Sequence, residues 1–87
     1  MEEKKFKVII VEDVKLELKG TEEIFRHEIL NAEVIGTAMT ENEFWPLIEK
    51  QQPDMVLLDL GLGGSTTIGV DICRNICKRY PQVRVLI

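Results

Sequence analysis

A chain of 87 residues, 45% hydrophobic and 30% charged, has the composition of one small folded domain with a modest core, which excludes disorder as its default state. Its net charge of −4 argues against direct nucleic-acid contact by this segment, because gripping a phosphate backbone requires clustered positive charge. No apolar run approaches the ~20 residues that span a bilayer, so no membrane contact is expected; Met1 to Lys5 leads into a strand signal instead of a signal-peptide core, and the expected location is the cytoplasm.

Lys7 to Val11 (KVIIV) is a short β-branched run that predicts a strand, and it ends in the acidic pair Glu12-Asp13. From Val14 to about Leu30 the pattern is helical, with Leu18, Thr21, Phe25 and Ile29 on one stripe and Gly20 marking a candidate close-packing contact. His27 sits between Arg26 and Glu28 and reads as a surface residue without a role. Glu33 to Ala38 predicts a second strand that Gly36 weakens or bends.

Thr40 and Glu43 form a capping box for the next helix, whose apolar side is Phe44, Leu47 and Ile48. Pro46 predicts a kink or a late helix start, since it lacks a backbone donor. Pro53-Asp54 closes that helix and restarts the chain as Met55 to Leu58. These four residues are apolar without alternation, as in a strand covered on both faces. Asp59 ends the run, where a glycine-rich loop begins. Val70 to Tyr80 predicts a third helix, with Val70, Cys73, Ile76 and Cys77 on one face. Two cysteines without other soft ligands make a poor zinc site and read as free thiols. Val83 to Ile87 predicts a fourth strand.

Strands alternating with helices predict right-handed βαβ crossovers and a parallel sheet, with no linker or internal repeat. Asp59 alone fits a loop cap as well as a functional group. If the first and third strands are neighbours, however, Glu12, Asp13 and Asp59 meet at one carboxyl edge. Three crowded carboxylates repel one another unless a cation neutralises them, and a hard ion such as Mg²⁺ with a phosphoryl group suits them. Gly61, which has no side chain to intrude, can offer its backbone carbonyl to the same ion, and Asp59 can act as a nucleophile.

VIIVEDVKLELKG, QQPDMVLLDLGLGG and the Val83–Ile87 strand resemble the receiver domains of bacterial response regulators, over nearly the whole chain. The resemblance implies a flavodoxin-like (CheY-like) open parallel sheet with order 2-1-3-4 and helices on both faces. It implies that Asp59 accepts a phosphoryl group from a sensor histidine kinase, that Asp13 and Asp59 bind Mg²⁺ directly with the Gly61 carbonyl, and that Glu12 helps through water. The wording is closest to regulators with a C-terminal helix-turn-helix output domain, which implies transcriptional control by a segment outside residues 1–87, with a homodimer as one assembly. By this resemblance the chain is a signalling regulator and not an enzyme.

Three departures accompany the resemblance. Gly63 stands where receivers carry a proline, and Gly69 arrives about two residues late, so the loop GLGGSTTIG is expected to be longer and more mobile than the family norm. The family also places a Ser or Thr at the end of the fourth strand and a Lys at the end of the fifth, and this sequence stops at Ile87 before both. Residues 1–87 are therefore expected to be the N-terminal part of a receiver domain, truncated before the end of the fourth strand.

Other readings of the loop fail on particular residues. A phosphate-binding P-loop needs Gly-Lys-Ser/Thr, and no lysine lies between Gly61 and Cys77. A dinucleotide fingerprint starting at Gly61 meets Thr66 at its third glycine position. A haloacid-dehalogenase-type phosphatase needs a second aspartate where Gly61 stands, and is kept as a distant alternative. The other alternative is a receiver-like adaptor that binds a partner without phosphorylation.

Overall fold

The computed structural model describes residues 5–29, 31–64 and 66–87. Its elements are β1 (Phe6–Val11), α1 (Lys15–His27), β2 (Ala32–Ala38), α2 (Glu41–Gln51), β3 (Met55–Leu58), a 3-10 turn at Leu62–Gly64, α3 (Thr66–Arg79) and β4 (Arg84–Leu86). The strands form one parallel sheet in the order β2-β1-β3-β4, as expected for a flavodoxin-like fold.

Strand alternation divides β1 between two cores. Ile9 and Val11 pack with Phe44 and Ile48 of α2 and with Ile72 and Ile76 of α3, all buried. Val8 and Ile10 point the other way, toward Leu18 and Phe25 of α1. Helices thus cover both faces, which explains why β1 and β3 carry apolar residues without polar alternation. Burial of each such large side chain contributes roughly 1.5–3 kcal/mol. Asp54 ties the strand starts together: its Oδ2 accepts from the Lys7 N–H at 2.8 Å, and its carbonyl accepts from the Arg84 N–H at 3.0 Å.

Gly36 marks a bulge in β2. Val8 pairs with Val34 but Ile9 pairs with Gly36, so Ile35 is passed over. A Cβ at Gly36 would come within 2.7 Å of the Leu47 side chain, so the missing side chain lets α2 lie close on this strand.

Thr40 caps α2 as expected. Its Oγ1 accepts from the Glu43 N–H at 3.2 Å, and Glu43 Oε1 reaches back to the Met39 N–H at 2.9 Å. With its start fixed by this box, α2 begins at Glu41 and carries Pro46 in its second turn, so the expected late start does not occur. The Asn42 carbonyl loses its donor to Pro46, but Asn42 is exposed and water can replace it. Gln52 ends the helix in a left-handed conformation, with φ 48°.

Other boundaries differ from expectation. α1 stops at His27, where Glu28 caps it through an N–H to the Ile24 carbonyl at 2.8 Å; Leu30 lies outside the described residues. Ile29, expected on the buried stripe, is past the helix end and is exposed. Gly20 meets nothing within 4 Å and marks no close contact. α3 starts at Thr66, not Val70, soon after the 3-10 turn at Leu62–Gly64, in which Gly63 and Gly64 are left-handed at φ 71° and 77°. The loop is therefore shorter than expected, since Thr66 to Gly69 are helical.

The buried face of α3 is Gly69, Ile72 and Ile76, with Cys73 half-buried; Val70 and Cys77, expected on that face, are exposed. A glycine carries no apolar signal, so the true stripe is offset by one residue from the one the side chains suggest. Both cysteines are free, and burial together with the neighbouring Cys77 pushes the Cys73 thiol above its ordinary pKa. β4 is shorter than the run Val83 to Ile87, and Leu86 and Ile87 are exposed at the sheet edge. Among the described residues no helix is long and apolar enough to cross a membrane.

Candidate functional site

The register of β1 against β3 builds the site. Val11 pairs with Leu58, so the residues that follow the two strands emerge side by side at the carboxyl edge. The ladder continues for one more step: the Asp59 N–H donates to the Val11 carbonyl at 2.9 Å, and the Glu12 N–H donates to the Ala38 carbonyl at 3.0 Å. Asp59 is therefore held by β1, and Glu12 by β2. Glu12, Asp13 and Asp59 are half-buried, and each offers one carboxylate oxygen within 4.8 Å of the other two.

Each carboxylate also accepts one backbone N–H at 3.0 Å. Glu12 Oε2 accepts from Val14, Asp59 Oδ1 from Gly61, and Asp13 Oδ2 from Gly63. The first two bonds are local turns. The third joins residues 50 apart and ties the β1–α1 turn to the loop before α3. The sequence carried no sign of it, because glycine announces neither a backbone donor nor its direction.

The Gly61 carbonyl, a candidate ligand, accepts from the Gly64 N–H at 3.0 Å and keeps a second lone pair free. Burial pushes the Glu12 carboxyl above the ordinary glutamate range; the Val14 N–H opposes this, while the Asp59 carboxylate beside it and the charge of Glu17 add to it. A shallow cleft of about 190 Å³ adjoins the acids, with Glu12, Thr21, Leu57 and Asp59 in its lining. The donor set consists of oxygens alone and concentrates negative charge, which fits a hard divalent cation such as Mg²⁺.

His27 lies apart from this edge, paired with Glu23 at 3.0 Å on the α1 surface. A second cleft of about 540 Å³ is lined by Leu60, Val70, Cys73, Cys77 and Ile87 with Arg74 and Lys78, with no acidic group among the described residues of its lining.

Residues 8–87 match the family model described as the response regulator receiver domain. The chain belongs to the response regulator receiver family. It is 31% identical over 85 residues to the transcriptional regulatory protein DegU of Brevibacillus brevis, covering 98% of this chain and 35% of DegU. Among solved structures it is similar to the response regulator PhyR from Brucella abortus, with a TM-score of 0.77 and 34% identity over 93% of this chain and 32% of that one. It is also similar to PhyR from Bartonella quintana, solved in complex with the anti-sigma factor NepR, with a TM-score of 0.78 and 26% identity over 93% of this chain and 32% of that one. The receiver thus spans about a third of these longer proteins.

Proposed function

We propose that this receiver works in a two-component phosphorelay, with Asp59 as the phospho-acceptor. The observation that carries the reading is the meeting of Glu12, Asp13 and Asp59 at one strand edge in a member of the receiver family. An Asp59 carboxylate oxygen attacks the phosphorus of a phosphohistidine on a sensor histidine kinase; the P–N bond breaks and the imidazole nitrogen takes its electrons. Asp13, Asp59 and the Gly61 carbonyl would hold Mg²⁺ directly, and Glu12 through water. When bound, Mg²⁺ neutralises the crowded carboxylates and the negative charge on the phosphoryl oxygens.

The domain then acts in the cytoplasm as a regulator and not as an enzyme. Its similarity to DegU supports transcriptional control as the output, exerted through a DNA-binding segment outside residues 1–87. A pair of receivers is compatible with this role.

The experiment is incubation of the full-length protein with acetyl phosphate and Mg²⁺ followed by intact mass measurement. The mass of one phosphoryl group is expected on the wild-type chain, and none on Asp59→Asn or in the presence of a chelator. An unmodified wild-type chain would overturn the phosphorelay reading. A second reading, an adaptor that acts by binding a protein partner without phosphorylation, draws support from the similarity to PhyR, one example of which is complexed with an anti-sigma factor. Phosphorylation at Asp59 would count against it.

A further inference from the structure

The three N–H bonds at the acidic edge differ in what they cross. Those from Val14 and Gly61 link residues two apart and form with their own turns. The bond from Gly63 to Asp13 Oδ2 forms only when two distant loops are in place. It also needs a particular backbone: Gly63 has φ 71°, a left-handed conformation that costs a residue with a Cβ roughly 1–2 kcal/mol. A Cβ there would approach Ile68 Cδ1 at 3.0 Å. Proline, with φ fixed near −65° and no N–H, could supply neither the direction nor the donor.

We propose that in this chain, whose loop lacks the family's proline, Gly63 is a positioning residue for divalent-cation binding, its N–H steadying the Asp13 carboxylate at the acidic edge. This rests on the reading that the acidic edge takes Mg²⁺. Asp13 follows the end of β1 by two residues and has no other hydrogen bond among the described contacts, whereas Asp59 is anchored through its own N–H to β1. One N–H occupies only one of the roughly four acceptor positions of a carboxylate, so the rest of Asp13 stays open to a metal. Losing a group that orients a ligand in this way typically costs about 10-fold or more in metal affinity. The same bond makes the loop before α3 a partner in cation binding.

The test is a Mg²⁺ titration of the full-length protein and its variants, followed by calorimetry and by amide NMR. Gly63→Pro is expected to weaken Mg²⁺ binding about 10-fold. Gly63→Ala is the control for strain: it carries a Cβ at the left-handed φ of 71° but keeps the N–H that serves Asp13, so binding nearer to wild type than that of Gly63→Pro is expected. In the wild-type chain the Gly63 amide resonance is expected to shift in step with saturation, a readout that needs no substitution and remains if Gly63→Pro fails to fold. Thermal midpoints of the two variants separate loss of affinity from loss of fold. A folded Gly63→Pro that binds like wild type, or a Gly63 amide that ignores Mg²⁺, overturns the inference while leaving the proposed function intact. A wild-type chain that binds no Mg²⁺ overturns both.

Discussion

Gly69 of α3 rests against the backbone of Leu60, so closely that a Cβ on Gly69 would strike the Leu60 carbonyl. Leu60 directly follows Asp59, so this contact fixes how near the start of α3 approaches the acidic edge. Backbone cannot swing aside as a flexible side chain can. Gly69→Ala is therefore expected to destabilise the domain by about 2 kcal/mol, the cost of overpacking. Gly20→Ala, in the exposed interior of α1 with nothing within 4 Å, is expected to stabilise it by up to about 1 kcal/mol. Urea unfolding followed by the fluorescence of the sole tryptophan, Trp45, distinguishes the two.

Glu12 gives the stability a pH dependence of defined sign. Its carboxyl is raised above the ordinary value, chiefly by burial, so the folded state holds a proton that the unfolded chain releases. Between the ordinary and the raised value the folded state binds more protons, and stability falls as pH rises through that window. Glu12→Gln is expected to flatten this decline, and saturating Mg²⁺ to reduce it in the wild-type chain. Urea midpoints across the acidic to neutral range, for both chains, check it; a decline unchanged in Glu12→Gln would assign the effect elsewhere.

Arg79, near the end of α3, stacks on Trp45 of α2, its guanidinium 4.8 Å from the ring centroid, and also faces Glu49 at 4.0 Å. Both charged groups are at least half exposed, so the ion pair contributes little and the stacking more. Arg79→Ala is expected to lower stability by about 0.5–1 kcal/mol. It should also shift the Trp45 emission, whereas Arg79→Lys should recover only part of the stability, because ammonium lacks the planar face.

Gln52 holds the left-handed position that ends α2 without the freedom of glycine. Removing its Cβ relieves the conformational cost but adds unfolded-state entropy. Gln52→Gly is therefore expected to gain about 0.5 kcal/mol, the difference between these opposing effects, measured as a rise in urea midpoint at an unchanged denaturant slope.

The sequence by itself determined the class and order of the elements. An apolar run without alternation must be covered on both faces, and strands separated by helices must run parallel, so β1 and β3 were legible from the pattern, whereas the order 2-1-3-4 came only from the resemblance to receiver domains. So was the carboxyl edge, because Glu12-Asp13 and Asp59 each follow an apolar strand. The Thr40–Glu43 cap was equally legible, since its partners lie three residues apart. Tertiary structure alone decided what the glycines do. Side-chain patterns say nothing about a residue without one, so the buried Gly69 offset the α3 face by one position, and Gly63 and Gly64 shortened a loop that had looked long. The bond from Gly63 to Asp13 spans 50 residues and depends on a backbone angle, a relation between two loops that neither local sequence contains.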